Sequence, residues 1–171
     1  VLAPTVADAL GTGRYLPSVS VDDAAGFDYA IITVPTPLRE TLPDLTFIEV
    51  ASRDLARHLR PGATVVLEST TYPGTTEDLI LPKLEETGLK VGQDFFLAFS
   101  PERVDPGNPK YNTRNTPRVV GGVTPDCTRV AMAFYEQTLP LVRAVSSTQA
   151  AEMVKLLENT FRSVNIGLVN E

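Results

Sequence analysis

The sequence predicts an α/β fold, a doubly wound and mostly parallel sheet followed by a long helix. Short apolar runs alternate along the chain with longer segments whose apolar residues recur at helical spacing. The composition is that of a globular protein, because 43% of the 171 residues are hydrophobic and 21% are charged. We therefore expect one domain, or most of one.

The predicted strands are short, nearly continuous apolar runs. Runs of this kind are typical of parallel strands that are buried on both faces. Segment 18–21 is a further candidate, as a strand at the edge of the sheet. The principal strands are predicted over 28–34, 64–67, 94–99, 118–120 and 141–145.

The helices between these strands are predicted from their start signals and their periodicity. Asp44 can cap the helix that follows it. Segment 75–86 has a helical pattern in which Pro82 is tolerable only near the helix start. Thr124 is a capping residue followed by Pro125 at the first helical position. The buried face of this last helix is predicted to comprise Val130, Ala133 and Phe134.

Helical patterns also reach both ends of the chain. Leu2, Val6 and Leu10 recur at four-residue spacing from the first residue, which is not Met. A second stripe with a 3.6-residue period runs from Ser146 to Glu171. We interpret the chain as a segment of a longer protein, with essential pieces outside it.

Charge and composition exclude several functional classes. The 21 acidic and 15 basic residues give a net charge of −6, so a phosphate backbone is repelled and no nucleic-acid partner is expected. No run approaches the ~20 apolar residues of a membrane span, and a secretion signal is absent from the first residues. We expect a cytoplasmic protein with no membrane partner. A single Cys127 and a single His cannot form a disulfide or a Cys/His zinc site, so no metal is expected.

Polar loops follow three of the predicted strands. In doubly wound sheets, ligands bind beyond the carboxyl ends of the strands. The loops are the proline-rich turn 34–37, the hydroxyl-rich segment 68–74 and the long segment 100–108, which stays non-periodic as far as Pro117. Each loop taken singly is explained by ordinary turn chemistry. Together, at one sheet edge, they favour a binding site.

The polar side of the long terminal helix carries a second group of candidates. Lys155 and Asn159 are four residues apart and share a face. Such a pair can stabilise an oxyanion or help to move a proton if it faces a pocket. The alternative, which the spacing alone favours, is a solvated face with ion pairs between Glu152 and Lys155 and between Glu158 and Arg162.

Two further features are interpreted as structural. Segment 11–16 begins like a dinucleotide-binding fingerprint, but it lacks the third glycine and follows a helix instead of a strand. Cys127 lies near a helix start, where its thiol pKa could fall, yet no His is near in sequence to act as its base.

The motifs as a set resemble the nucleotide-sugar 6-dehydrogenases, the family of UDP-glucose, UDP-N-acetylglucosamine, UDP-N-acetylmannosamine and GDP-mannose dehydrogenases. The resemblance spans essentially the whole chain, and the form of 101–108 is more similar to the N-acetylhexosamine branch. The matching motifs, in the family's order, are 34–37, 68–77, 100–108, 119–122 and 151–160.

The resemblance implies a domain division and an activity. Residues 1–146 would form an NAD-binding Rossmann-like domain that is incomplete at its N-terminus, and 147–171 would begin the central helical domain. The enzyme would oxidise the C6 alcohol of a UDP-N-acetylhexosamine to the uronate, for surface polysaccharide precursors. Two hydride transfers to NAD would proceed through a cysteine thioester. A UDP-glucose or GDP-mannose 6-dehydrogenase and a non-catalytic nucleotide-sugar binding module remain alternatives; a 6-phosphogluconate-type dehydrogenase is disfavoured by segment 100–108.

The resemblance also implies roles for individual residues, together with a homodimer formed through the long helix that starts near Ser147. The implied cofactor-binding residues are Val34, Pro35, Thr36, Ser69 and Thr70. The implied catalytic residues are Thr70, Glu102, Lys155 and Asn159. The implied residues for the UDP-sugar are Glu102, Arg103, Val104, Asp105, Lys155 and Asn159.

The chain departs from the family pattern in ways that limit this carry-over. In the UDP-glucose branch a second acid follows the first after four positions, whereas here that position is Pro106, so its role is lost or passes to Asp105. The glycine-rich loop for the pyrophosphate is expected before Val1, and the nucleophilic cysteine after Glu171. Cys127 lies in a different motif and does not replace that nucleophile.

Overall fold

The structure of the chain, a computed structural model, describes residues 3–40, 42–104 and 110–170. The strands are β1 (Tyr29–Ile32), β2 (Leu38–Arg39), β3 (Leu42–Pro43), β4 (Thr64–Leu67), β5 (Phe96–Phe99), β6 (Arg118–Gly122) and β7 (Val142–Ala144). The helices are α1 (Ala3–Gly11), α2 (Thr46–Ala56), α3 (Leu81–Glu85), α4 (Pro125–Tyr135) and α5 (Thr148–Asn170). The predicted strands at the five principal positions are all present: β4 has the predicted bounds, β6 is longer than predicted, and the other three are shorter.

The described residues form a five-stranded sheet in the order β1-β4-β5-β6-β7, beside a small β2–β3 hairpin. Strands β1, β4 and β5 are parallel to one another, β5 and β6 are antiparallel, and β6 and β7 are parallel. The carboxyl ends of β1, β4 and β5 therefore share one edge with the amino end of β6, where Arg118 lies. This edge is called the carboxyl edge below.

Helices cover both faces of the sheet, as a doubly wound fold requires. On one face, α2, α3 and the first turns of α5 pack on alternate side chains of β4 and β5, including Val65, Leu67 and Phe99. On the other face, α4 packs on the intervening side chains Val66 and Ala98. The predicted doubly wound, mostly parallel sheet with a long following helix is thus confirmed.

Three of the predictions about local structure are wrong. Strand β1 is not buried on both faces, because it lies at the sheet edge of the described residues and leaves Tyr29 and Ile31 each 39% exposed. Segment 18–21 forms no strand; Ser20 instead accepts a hydrogen bond from the Asp22 N–H and caps a 3-10 turn over Val21–Ala24.

The third error is the buried face of α4. Ala133 is exposed and Val130 and Phe134 are only half-buried, whereas Cys127, Ala131 and Tyr135 are buried. Gly122 explains the shift, since a Cβ there would lie 2.7 Å from the Cβ of Cys127. The absence of a side chain at Gly122 lets the first turn of α4 rest directly on β6.

Segment 75–86 is helical but not a regular α-helix. It starts as a π-helical turn over Thr75–Ile80, in which the Leu81 N–H donates to the Thr76 carbonyl, and continues as α3. Pro82 therefore falls in the first turn of α3, where its missing N–H needs no partner. The wider turn explains how the proline sits midway along the predicted helix.

Within the described ranges, no helix combines the length and hydropathy that a bilayer crossing demands. The same ranges hold no group of His, Cys, Asp and Glu side chains arranged to bind a metal ion.

Candidate active site

The loops after β1 and β4 are joined at the carboxyl edge. The Ser69 hydroxyl donates to the Val34 carbonyl at 2.7 Å, and the Ser69 and Glu68 N–H groups donate to the Ile32 carbonyl. Ser69 is buried, so its side chain holds the two loops together and does not face solvent. The next residue, Thr70, is exposed.

Val34 and Thr36 are half-buried and Pro35 is exposed beside this junction. No hydrogen bond is made by the hydroxyls of Thr36 and Thr70 to any residue that the structure describes. Among the described residues, the two loops therefore carry two hydroxyl groups that have no partner.

A buried glutamate attaches α5 to the loop after β4. The Glu152 carboxylate accepts hydrogen bonds from the Gly74 N–H at 2.6 Å, the Thr76 N–H at 2.9 Å and the Thr76 hydroxyl at 2.7 Å. Gly74 has φ of +100°, a conformation that favours glycine and turns its N–H toward the carboxylate. Thr148, one turn earlier on α5, also donates to Glu77. Burial raises the pKa of Glu152, although these hydrogen bonds oppose the rise.

This arrangement contradicts the interpretation of Glu152 as the solvated ion-pair partner of Lys155. Glu152 is fully buried and faces the loop after β4. Lys155 lies about one turn further along α5, and its ammonium donates to the Glu102 carbonyl at 2.5 Å. The helix and the loop after β5 therefore meet at Lys155.

Glu102 is held within its own loop and remains accessible. One carboxylate oxygen accepts from the Val104 N–H at 2.7 Å, and the side chain is 47% exposed. The structure thus brings together the predicted catalytic residues Glu102 and Lys155. Asn159 is half-buried one turn after Lys155, and its side chain makes no hydrogen bond within the described part of the chain. Asp105 lies outside the described residues, as does Pro106.

Arg103 connects the loop to α5 a second time. Its guanidinium forms an ion pair with Glu158, with Nε 2.9 Å from the nearer carboxylate oxygen, and Nη1 donates to the Pro117 carbonyl at 2.8 Å. Beside this pair lies an open cleft of about 580 Å³, whose lining also includes Phe161, Arg162, Asn165 and Ile166 of α5. The predicted substrate residue Arg103 therefore lines an open cleft.

The sequence interpretation missed a second polar cluster at the carboxyl edge. Arg118 lies between Glu68 and Glu102, with nitrogen–oxygen distances of 3.5 and 3.6 Å. The Tyr135 hydroxyl donates to Glu68 at 2.5 Å. Burial, and then the charge of Glu68, raise the pKa of Tyr135, so the phenol stays neutral. A charged residue directly flanking a buried strand, as at positions 68 and 118, was the available signal.

Cys127 is structural, as predicted. It is fully buried under the sheet, and its sulfur accepts from the Leu97 N–H and the Thr124 hydroxyl. A thiol in this position cannot reach a substrate at the carboxyl edge.

Comparison of the sequence with known proteins gives a family match and several similar enzymes. A profile described as the UDP-glucose/GDP-mannose dehydrogenase family, NAD binding domain, matches residues 1–139. UDP-N-acetyl-D-mannosamine dehydrogenase of Pyrococcus horikoshii is 40% identical over 164 residues, which are 96% of this chain and 39% of that protein. UDP-N-acetyl-D-glucosamine 6-dehydrogenase of Pseudomonas aeruginosa is 40% identical over 144 residues, 82% of this chain and 34% of that protein.

Comparison of the fold with solved structures leads to the same group of enzymes. The solved structure of the Pyrococcus horikoshii UDP-D-ManNAc dehydrogenase superposes with a TM-score of 0.89 at 41% identity, covering 95% of this chain and 39% of that structure. This chain therefore spans between about a third and two fifths of the length of these relatives. The predicted resemblance and the predicted NAD cofactor are confirmed at the level of the family. The chain belongs to the UDP-glucose/GDP-mannose dehydrogenase family and carries its NAD-binding domain.

Proposed function

We propose that the whole protein oxidises the C6 alcohol of a UDP-N-acetylhexosamine to the uronate, in two hydride transfers through a cysteine thioester. The observation that carries this proposal is the contact between the Lys155 ammonium and the Glu102 carbonyl at the carboxyl edge. Two groups suited to acid–base and oxyanion chemistry thereby share one site. The two UDP-N-acetylhexosamine dehydrogenases at 40% identity support the substrate class.

The cofactor fits the junction of the loops after β1 and β4. The free hydroxyls of Thr36 and Thr70, with Val34 and Pro35 between the loops, offer polar and apolar contacts to NAD. Ser69 contributes by fixing the shape of this junction through its bond to the Val34 carbonyl. NAD, when bound, supplies the hydride acceptor for both oxidation steps.

Lys155 and Asn159 stabilise negative charge on the substrate oxygen. An ammonium has three donors, so Lys155 can keep its bond to the Glu102 carbonyl and still donate to an oxyanion. Asn159, four residues on along α5, adds an amide on the same helix face that is unpaired among the described residues.

Glu102 acts as the acid and base of thioester hydrolysis, and Thr70 helps to position the attacking water. The carboxylate of Glu102 is partly exposed and so can exchange protons with that water. The substrate lies against the loop after β5, where Arg103, Val104 and Asp105 contribute contacts. Arg103 is fixed for this purpose by Glu158.

We also propose a domain division and an assembly. Residues 1–146 form the NAD-binding domain and 147–171 begin the central domain. The exposed apolar side chains of α5 form a homodimer contact between copies of the whole protein, which we place in the cytoplasm, on the route to surface polysaccharide precursors. The exposed set on α5 is Met153, Leu157, Phe161, Val164, Ile166, Leu168 and Val169.

The test is an assay of the whole protein with NAD and each of four substrates: UDP-N-acetylglucosamine, UDP-N-acetylmannosamine, UDP-glucose and GDP-mannose. We expect two NADH per sugar with an N-acetylhexosamine substrate. Preference for UDP-glucose or GDP-mannose would reassign the substrate, and binding of a nucleotide sugar without NADH formation would favour a non-catalytic module.

A second measurement tests the hydrolytic role. In Glu102→Gln, hydrolysis should slow and a covalent sugar–enzyme species should accumulate, visible as a mass increase of the intact protein. Absence of this species in a folded variant would count against Glu102 as the acid and base.

A further inference from the structure

Arg118 occupies an unusual position for a cation at the start of a strand. Its side chain is 11% exposed, and it lies between the carboxylates of Glu68, 13% exposed, and Glu102, 47% exposed. The guanidinium nitrogen Nη2 is 3.5 Å from Glu68 and 3.6 Å from Glu102. The nearly buried guanidinium therefore forms ion pairs with two carboxylates, and only the carboxylate of Glu102 is accessible to a substrate.

The guanidinium of Arg118 makes two further contacts, with the backbone before Glu102 and with an aromatic ring. Its Nη1 donates to the Pro101 carbonyl at 3.3 Å, and its centre lies 4.9 Å from the centre of the Tyr135 ring. Tyr135 in turn donates to Glu68, so ring, carboxylate and guanidinium support one another. These contacts come from α4, from the end of β4 and from the backbone next to Glu102.

We propose that Arg118 is a positioning residue that holds the Glu102 carboxylate at the carboxyl edge during thioester hydrolysis. This inference rests on the proposed function of Glu102. Arg118 itself makes no contact with the reacting atoms in this scheme, and it acts through its contact with the carboxylate of Glu102.

The pairing with Glu68 explains why this arrangement suits a group that exchanges protons. Arginine stays charged at all working pH values. Glu68 gives the guanidinium a second carboxylate partner besides Glu102, and Tyr135 donates a hydrogen bond to that partner. The guanidinium therefore keeps this second partner when Glu102 takes or releases a proton. A lysine could supply the charge, but its single nitrogen cannot span the same set of partners.

The experiment uses the whole dehydrogenase with Arg118→Met, which retains an unbranched apolar side chain and removes the charge. We expect kcat to fall by about tenfold or more and the covalent sugar–enzyme species to accumulate, with the KM for NAD within about twofold of wild type. Arg118→Lys should recover part of the loss. The matched control is Arg143→Met, since Arg143 is exposed on the neighbouring strand β7 and should show wild-type kinetics.

A double-mutant cycle separates positioning from a purely structural role. If Arg118 acts through Glu102, then Arg118→Met should cause little further loss in a Glu102→Gln background. Full additivity of the two losses would overturn the proposal. Wild-type kcat without a covalent species in Arg118→Met, or in Arg118→Lys should the Met variant fail to fold, would also overturn it.

The covalent species in the two single variants separates a wrong role for Glu102 from a wrong role for Arg118. A covalent species in Glu102→Gln but not in Arg118→Met rejects the positioning role alone. Its absence in Glu102→Gln rejects the role of Glu102, and the role of Arg118 with it.

Discussion

The two halves of α5 differ in how they are held. In the inner half, residues 148–159, the fully buried residues are Thr148, Ala151 and Glu152. In the outer half, residues 160–170, large apolar side chains such as Phe161 and Leu168 are exposed, the latter at 74%. The inner half is therefore fixed by core packing of Ala151 and by buried polar contacts, and the outer half carries an unpartnered apolar surface within the described chain.

This difference shows that one helical stripe can serve two surfaces. The inner half is joined to the loop after β4 by Glu152 and Thr148, and to the loop after β5 by Lys155 and Glu158. Those contacts fix the distance between the proposed cofactor junction and the proposed oxyanion groups. The outer half makes no such contact to these loops, and it contributes to the site through the residues that line the cleft beside Arg103.

The largest expected effect is at Lys155. In the whole protein, Lys155→Ala should lower kcat by about 10²–10³-fold, because it removes a preorganised cation from the developing oxyanion. The affinity for NAD should stay nearly unchanged, since the Lys155 ammonium binds the loop after β5 and not a residue of the proposed cofactor junction. Steady-state kinetics with both substrates and NAD titration measure these quantities.

The control for this variant is Gln149→Ala, an exposed residue on the same half of the helix that lies outside the proposed site and the proposed homodimer contact. It should leave kcat within about twofold. A loss of less than about tenfold in Lys155→Ala would exclude the oxyanion role.

The next effect is on stability, at Glu152. Replacing Glu152 by Ala leaves the buried N–H groups of Gly74 and Thr76 without an acceptor. We expect the free energy of unfolding to fall by about 3 kcal/mol, since each buried unsatisfied donor costs about 1–3 kcal/mol. Denaturant unfolding measures the change. Glu136→Ala, at an exposed position after α4, should change the unfolding free energy by less than about 0.5 kcal/mol. Equal effects of the two variants would show that the inner half is not fixed by Glu152.

Glu152 also shows where sequence-based prediction reached its limit. The helical spacing predicted α5 itself and placed Lys155 beside Asn159. A glutamate three residues before a lysine is most simply interpreted as its solvent-exposed partner. Its burial depends on N–H donors in a loop 78 residues earlier, a contact that local spacing cannot reveal.

The missed role of Arg118 has a similar physical cause. Apolar runs bounded by turn residues predicted the positions of the strands correctly. A run of this kind carries no information about strand direction, because a two-residue period is the same in both directions. Only the antiparallel pairing of β5 and β6 places Arg118 at the carboxyl edge beside Glu102.

The outer half of α5 provides a third prediction. If it forms the proposed homodimer contact, Leu168→Ser should raise the dimer dissociation constant by about tenfold or more, because burying a leucine contributes about 1.5–3 kcal/mol. Sedimentation of the whole protein at decreasing concentration measures the constant. Ser163→Ala, exposed on the same half, is the control and should leave the constant unchanged. An unchanged mass distribution for Leu168→Ser would contradict the homodimer contact.

The smallest expected effect is a dependence of the unfolding free energy on pH, caused by Glu152 in the inner half of α5. Burial raises the folded-state pKa of Glu152 above its ordinary value of 4.5, and the nearby charge of Glu77 adds to the rise. The folded state then binds the proton more tightly than the unfolded state does. The contribution of Glu152 to stability is therefore fully present below pH 4.5 and is lost as the pH rises through the raised pKa.

The measurement compares the unfolding free energy of wild type and Glu152→Gln across this pH range. The glutamine cannot titrate, so subtraction of the two curves removes the contributions of other groups that the substitution leaves unchanged. We expect wild type to lose stability relative to the glutamine variant as the pH rises from 4.5, and the difference to level off above the raised pKa. A difference that grows in the opposite direction would mean that the hydrogen bonds from Gly74 and Thr76 outweigh burial. The inner half would then be held by an anchor that prefers to be charged, and acid would loosen the contact between α5 and the loop after β4.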